Sequence, residues 1–235
     1  MAFTICNALE NKEYCPALFL DISQAFDRVW IPGLLSKISS YVPKQLVLLV
    51  ESYLHQRNFY VAYGEAKSAI LPINAGVPQG SVLGPLLYLL YTADLPVQPG
   101  STVATYADDT AILTPHTSYE TATELLQNSA REVEHWAHQW KIKLNSLKSA
   151  RIDFALRKHG YIPTLLEGSP VPNVSSTKYL GIHLDTRLTW RPHISHKRQE
   201  LKIRFRQLFW LLRARSRLTL PNKILLYKTV LRPVW

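Results

Sequence analysis

Three carboxylates carry the most pointed chemistry in this sequence. Asp21 ends a short apolar run, Ala17-Leu18-Phe19-Leu20, that follows Pro16. Asp108 and Asp109 form a doublet between two strand-like runs, Val103 to Ala107 and Thr110 to Leu113. A short apolar run behind a proline reads as a buried strand, and the second pattern reads as a hairpin with acids at its tip. If these strands are sheet neighbours, three carboxylates meet at one edge. Bare carboxylates that close repel, and a cation resolves the repulsion. Mg²⁺ suits such a site, because it takes oxygen ligands and leaves positions for water or phosphate. Two such ions can stabilise the entering and leaving oxygens of an in-line phosphoryl displacement. Each acid alone has a plainer reading. An Asp-Asp pair is ordinary turn chemistry, and Asp21 could cap a helix. Asp27 reads as structural, capping the helix after the strand or pairing with Arg28.

The surrounding elements mix without regular alternation, which favours an α+β class. Pro32 and Pro43 stand where helices could start. Arg57 to Tyr63 and Lys67 to Ile73 flank Gly64-Glu65 as a hairpin. Gly76-Val77-Pro78-Gln79-Gly80 is a loop, and Ser81 to Ala93 a buried helix. Thr117 to Glu120 fits a capping box, followed by a helical stripe of Leu126, Ala130, Val133, Ala137 and Trp140. Lys178 to Leu184 reads as a strand. Leu201, Phe205, Leu208 and Leu212 form a second stripe, with Lys202, Arg206 and Arg213 left for solvent or ligand. Ile224, Tyr227 and Leu231 continue into a last helix.

The chain has 235 residues and a net charge of +10, split unevenly. Residues 1–120 carry a net −4, and residues 121–235 a net +14. From Arg187 onward, 13 basic residues face one acid, Glu200, and Trp190, Phe205, Phe209, Trp210, Tyr227 and Trp235 interleave with them. An acidic half beside a basic half suits a metal site next to a phosphate-binding surface. A solvated basic helix face is the plainer alternative. Cys6 and Cys15 have no CxxC partners, which excludes a disulfide scaffold or cysteine-rich zinc module and suits a reducing compartment. No signal peptide is visible, and no apolar run reaches the ~18 residues of a spanning helix, so no membrane partner is expected. His135/His138 and His193/His196 have i, i+3 spacing, but no third ligand is suggested, so they read as surface or second-layer histidines.

The flanks of the acids carry a family resemblance. Phe19 to Trp30 (FLDISQAFDRVW) resembles the first palm motif of reverse transcriptases, Gly76 to Leu86 (GVPQGSVLGPL) the second, and Tyr106-Ala107-Asp108-Asp109 the third. Lys141 to Ser149, with Asn145 and Lys148, is similar to the fourth, although Ser149 replaces the usual threonine. Lys178-Tyr179-Leu180-Gly181-Ile182 resembles the primer grip of the retroelement branch. Five motifs in family order make the likeness specific, and it is closest to non-LTR retrotransposons of the Jockey type.

That resemblance implies a right-hand polymerase palm, an antiparallel sheet backed by helices, with partial fingers and a helical thumb fragment. Its implied boundaries are 1–185 for the reverse transcriptase domain, with an insertion at about 31–75, and 186–235 for a partial thumb. It implies an RNA-directed DNA polymerase that adds deoxynucleotides to a DNA primer on an RNA template. Asp21, Asp108 and Asp109 would hold two Mg²⁺ ions, with Mn²⁺ as a substitute, and Ile22 would offer a carbonyl. Gln24, Ala25 and Phe26 would line the incoming nucleotide, with the Phe26 ring excluding a 2′-hydroxyl. Gln79 and Gly80 would pack near the nascent base pair, glycine allowing close backbone approach. Tyr106 would line the primer terminus, and Lys148 would protonate the leaving pyrophosphate. Tyr179, Leu180 and Gly181 would form the primer grip, Tyr179 itself and Trp190 reading as packing residues. The resemblance also implies an intracellular, nuclear setting. Asp21 lies only 20 residues after Met1, so most of the fingers are expected to be missing, and a catalytically inactive nucleic-acid-binding remnant is the alternative. A two-metal nuclease would rest on the acids alone, and no nucleophile-activating residue is identified for it.

Overall fold

The computed structural model describes residues 1–234; Trp235, one of the aromatics interleaved with the basic residues, lies outside them. The described chain divides into two compact units, Met1–Val174 and Ser175–Trp235. The division falls ahead of the segment resembling the primer grip.

The first unit opens with α1 (Ala2–Glu10) and β1 (Cys15–Leu20), whose six residues are all buried. Then come α2 (Ile31–Ile38), with a proline in its first turn, and α3 (Lys44–Leu54), preceded by Pro43. Two exposed two-stranded pairs follow, β2 (Asn58–Phe59) with β5 (Leu71–Pro72) and β3 (Ala62–Tyr63) with β4 (Ala66–Lys67). Together they are the hairpin around Gly64-Glu65, interrupted halfway along. Helix α4 (Leu83–Thr92) starts two residues later than its apolar pattern, because Ser81 Oγ accepts the Gly84 N–H at 2.9 Å and caps the helix from outside. Strands β6 (Thr102–Tyr106) and β7 (Asp109–Leu113) make the acidic hairpin, and α5 (Tyr119–Gln139) follows. The cap of α5 is Ser118, whose Oγ accepts the Thr121 N–H. Glu120 therefore sits in the second helical position, and the expected Thr117–Glu120 box does not form.

Strand β8 (Ala150–Phe154) completes a four-stranded antiparallel sheet ordered β6-β7-β1-β8. Leu18, Leu20 and Ile112 point into a core with Leu34 and Ile38 of α2, Leu87, Tyr88 and Tyr91 of α4, and Leu126, Ala130, Val133 and Ala137 of α5. Helix α1 contacts β1, with Ile5 and Ala8 fully buried outside that cluster. The near-buried Lys37 ammonium pairs with Asp94 and lies 3.8 Å from the Trp140 ring centroid. Asp94 also accepts the Trp136 indole N–H at 3.0 Å, so α2 and α5 are tied through one carboxylate. Burial is the first cause of the lowered Lys37 pKa, with Asp94 opposing it.

Strand β8 is invisible to a hydrophobic pattern because Arg151 and Asp153 are its α5-facing residues. Arg151 is 0% exposed. Its Nε donates to Asp153 Oδ1 (2.8 Å), its Nη1 to Thr164 Oγ1 (2.7 Å) and the Ile162 carbonyl, and its Nη2 to Tyr119 Oη (3.0 Å) and Thr123 Oγ1 (3.2 Å). Five acceptors thus match the five N–H groups of a guanidinium, the condition under which a buried ion pair is tolerated. Strands β9 (Leu165–Leu166) and β10 (Ser169–Pro170) close the unit as a small hairpin.

The second unit contains the hairpin β11 (Ser176–Tyr179) and β12 (Ile182–Asp185), then α6 (Arg191–Leu212), α7 (Leu220–Leu226) and a π-helical turn over Tyr227–Leu231. The strand expected over Lys178 to Leu184 is folded back at Leu180-Gly181, both with positive φ, +48° and +81°. That pair supplies the left-handed backbone of a tight two-residue hairpin turn. No α6 residue is buried, and Phe205 of its apolar stripe is exposed, as is the neighbouring Phe209. No described helix is long and apolar enough to cross a membrane.

The Arg151 network makes a stability prediction. Replacing Arg151 by Met strands the Asp153 carboxylate, 5% exposed, and is expected to cost about 3–5 kcal/mol in urea denaturation. Adding Asp153→Leu is expected to recover part of that loss. Equal stability of Arg151→Met and the parent would mean the network is not closed in solution.

Candidate active site

The β1–β7 pairing positions the acids. Ala17 pairs with Leu113, and the register runs through Phe19–Ala111 to Leu20–Thr110. The ladder ends at that pair; extended by one residue, the same register would bring Asp21 level with Asp109. Directly opposed residues in an antiparallel pair have Cα atoms about 5 Å apart. Tyr106 pairs with Asp109 across β6–β7, so Ala107 and Asp108 form the two-residue turn. Ala107 has φ +53°, a left-handed conformation that costs a non-glycine residue energy and occurs at sites that need a particular turn.

Electrostatics agree with the register. The Asp109 carboxyl is pushed above the ordinary carboxylate range, first by partial burial, then by the negative charges of Asp108 and Asp21. The donor set, three hard carboxylate oxygens that repel one another, fits a divalent cation in charge and chemistry. Among the described residues, however, no group of three or more His, Cys, Asp or Glu side chains is drawn together closely enough to hold a metal ion. The three acids lie near the same end of the sheet without forming such a group. Asp108 and Asp109 are exposed.

Behind Asp21 the chain leaves the β7 ladder and pairs with residues 143–149. Asp21 N–H donates to Ser149 Oγ at 3.0 Å, Asn145 N–H donates to the Asp21 carbonyl at 2.9 Å, and Ser23 N–H donates to the Lys143 carbonyl at 2.9 Å. Ile22 and Leu144 form an isolated bridge whose bonds are made by these neighbours. Backbone groups alternate in direction along a strand, so the Ile22 carbonyl faces the β7 side, where the acids are. Lys148 is exposed on the turn that grips Asp21, with its N–H donating to Asn145 Oδ1 at 3.2 Å.

Residues 23–28 form turns rather than the expected helix. Gln24 is exposed with φ +53°, Ala25 is buried in the core, and Phe26 is half-buried, stacked on Tyr88 with centroids 4.7 Å apart. The loop after β5 is stitched to this turn: Gly76 N–H donates to the Val29 carbonyl and Val77 N–H to the Phe26 carbonyl, both at 2.8 Å. Arg57 Nη1 adds a bond to the Gly76 carbonyl at 2.9 Å. Gly76 has φ +90°, and a Cβ there would lie 2.7 Å from the Asp27 carbonyl oxygen, so glycine is required. Gly80 has φ +78° with open space around it. Its freedom is conformational, not steric.

Sequence reasoning missed three contributors. Asp27 pairs not with Arg28, which donates to Gln24 Oε1 at 2.8 Å, but with Gln79, whose Nε2 donates to Asp27 Oδ1 at 2.8 Å. Tyr88 underlies Phe26, and its buried hydroxyl has no hydrogen-bond partner among the described residues. Ser149 is 1% exposed. The FDR segment and the serine after Lys148 were visible in the sequence, but their partners lie 52 and 128 residues away.

In the second unit, Tyr179 is buried while Leu180 and Gly181 form the exposed turn. His183, on β12, has its ring centroid 4.6 Å from that of His196 and 6.2 Å from that of His193. The histidine pair thus has a third neighbour that spacing did not reveal. The His183 pKa is lowered, first by burial and then by the neighbouring histidines.

Residues 2–184 match the family described as reverse transcriptase (RNA-dependent DNA polymerase). The chain belongs to that family. It is 43% identical over 234 residues to the RNA-directed DNA polymerase from mobile element jockey of Drosophila melanogaster. It is likewise 43% identical over 237 residues to the probable RNA-directed DNA polymerase from transposon X-element of the same fly. These alignments take in 96% and 98% of the chain, which spans about a quarter (26%) of each relative's length. Among solved structures, apo telomerase from Candida tropicalis truncated from its C-terminal domain superposes with a TM-score of 0.54 at 15% identity, over 80% of this chain and 38% of that one. What is shared with that structure is the fold, an α+β palm; in sequence the chain is similar to the polymerases of jockey-type mobile elements.

Two predictions follow from the site's geometry. Because folding raises the Asp109 pKa, the ionised form destabilises the fold, and that cost is absent once the carboxyl is protonated. Asp109→Asn is therefore expected to raise the melting temperature at pH 7, with the gain vanishing as pH falls below the carboxylate range. A gain independent of pH would contradict the repulsion. Second, a double-mutant cycle of Asp27→Ala and Gln79→Ala, read by chemical denaturation, is expected to show coupling of about 0.5–1 kcal/mol. Strict additivity would remove the link.

Proposed function

We propose that this chain carries the polymerising centre of a jockey-type element, adding deoxynucleotides to a DNA primer on an RNA template. Family membership supports a divalent cation and an RNA template in general terms. The observation that supports the finer reading is the β1–β7 register, whose last pair, Leu20 with Thr110, immediately precedes Asp21 on one strand and follows Asp109 on the other. In this reading Asp21, Asp108 and Asp109 hold Mg²⁺, as two ions, or Mn²⁺, with the Ile22 carbonyl as a further donor. When bound, the cations supply charge stabilisation to the attacking and leaving oxygens of the displacement.

The chain's own residues bind and orient. The turn over Gln24, Ala25 and Phe26 borders the deoxyribose. Phe26, backed by Tyr88, presents a ring edge where a ribose 2′-hydroxyl would clash. Gln79 and Gly80 lie along the nascent base pair, and Asp27 fixes the Gln79 amide. Tyr106 lines the primer end. Lys148 holds a proton for the departing pyrophosphate. Tyr179, Leu180 and Gly181 grip the primer strand.

A primer-extension assay on this chain tests the proposal. Mg²⁺-dependent addition of a few deoxynucleotides to a primed RNA is expected, lost in Asp108→Asn. Extension that persists in Asp108→Asn would refute the site. Binding of the primed template with no extension in the parent would favour the alternative, a nucleic-acid-binding remnant. That alternative has its own support in α6, where Arg198, Lys202 and Arg206 recur every four residues along one helix face. If these cations meet phosphates, converting all three to Gln is expected to flatten the slope of log affinity against log salt by about 2 for a single strand. An unchanged slope would place the footprint elsewhere.

A further inference from the structure

We propose that Ser149 is a positioning residue whose hydroxyl holds Asp21 in line with Asp109. The inference rests on the reading above, that these carboxylates share a divalent cation. Its basis is a closed ring of hydrogen bonds. Asp21 N–H donates to Ser149 Oγ at 3.0 Å, and Ser149 Oγ–H donates to the Asn145 carbonyl at 2.7 Å. Asn145 N–H donates back to the Asp21 carbonyl at 2.9 Å, and Ser149 N–H closes the turn onto the Asn145 carbonyl at 2.8 Å. Both backbone polar groups of Asp21 are therefore taken by one turn, and that same turn carries Lys148.

The hydroxyl is the part of the ring that a side chain supplies. It must accept one bond and donate another at once, which one hydroxyl can do and a methyl cannot. Water cannot readily take its place, since Ser149 is 1% exposed. Asp21 needs such a hold because β1 has already ended at Leu20. Beyond that residue no ladder bond to β7 fixes its direction, while repulsion from Asp108 and Asp109 pushes it away. Without the hydroxyl, Asp21 N–H loses its acceptor at the buried Ser149 position, and the strand end is free to rotate away from Asp109. Threonine preserves the hydroxyl. Valine has the shape of threonine without it.

The test is Mn²⁺ binding by the full chain, read from the loss of the free-ion paramagnetic resonance signal, which needs no catalytic turnover. Ser149→Ala and Ser149→Val are expected to weaken Mn²⁺ binding roughly ten-fold, the usual cost of losing a group that orients a metal ligand. Ser149→Thr is expected to retain parental binding, a rescue that packing alone would not give, because threonine and valine crowd the turn equally. Parental affinity in Ser149→Ala and Ser149→Val, with binding lost in Asp21→Asn, would overturn the role of Ser149 and leave the metal site standing. Parental affinity in Asp21→Asn would instead overturn the metal site itself. Hydrogen exchange at the Asp21 amide of the unaltered chain requires no variant to fold. Strong protection supports the clamp, and exchange at the rate of an open loop overturns it.

Discussion

The antiparallel register between β1 and β7 is the constraint on which the rest of this structure depends. Successive side chains on a strand face opposite ways, so a slip of one residue would turn Leu18 and Leu20 out of the core and carry Asp21 out of line with Asp109. The same pairing therefore fixes packing and chemistry together. Leu18, Leu20 and Ile112 lock it from the α5 side, where burial is complete or nearly so. The acids sit immediately past the last locked pair, where the sheet stops enforcing direction and hydrogen bonds from other segments take over.

Those other segments form a consistent pattern. Residues 143–149 secure Asp21 from one side, and the loop from Gly76 to Gln79 is stitched to Phe26, Asp27 and Val29 from the other. Each contact joins stretches that are short, polar or glycine-containing, and too weak to fold alone. They gain their geometry from the apolar sheet and helices behind them, which leaves the surface rich in backbone turns and aligned carboxylates. Partial burial, and then the neighbouring charges of Asp108 and Asp21, disfavour ionised Asp109 in the fold, a common trade between stability and activity.

Much of this was legible in the sequence because it follows from local rules. The proline-marked helices, the buried strand ending at Asp21 and the acidic hairpin all announce themselves by residue type and spacing. Three kinds of feature did not. Strand β8 was hidden because its inward residues are Arg151 and Asp153, whose burial makes sense only once Tyr119, Thr123 and Thr164 are known to surround them. The turn at Leu180-Gly181 was read as strand because leucine rarely adopts positive φ. Asp27, Tyr88, Ser149 and the third histidine, His183, depend on partners distant in sequence. No window of local pattern contains both ends of such a contact.

The central claim is that Asp21 and Asp109 are two walls of one cation site. Crystals of this chain grown with Mn²⁺ and measured for anomalous scattering test it most directly. The expected result is a peak within direct ligand distance of a carboxylate oxygen of each residue, with Asp21 still bonded to Ser149. A peak lying on other residues, or ordered Asp21 and Asp109 carboxylates facing apart with Mn²⁺ absent between them, would contradict it.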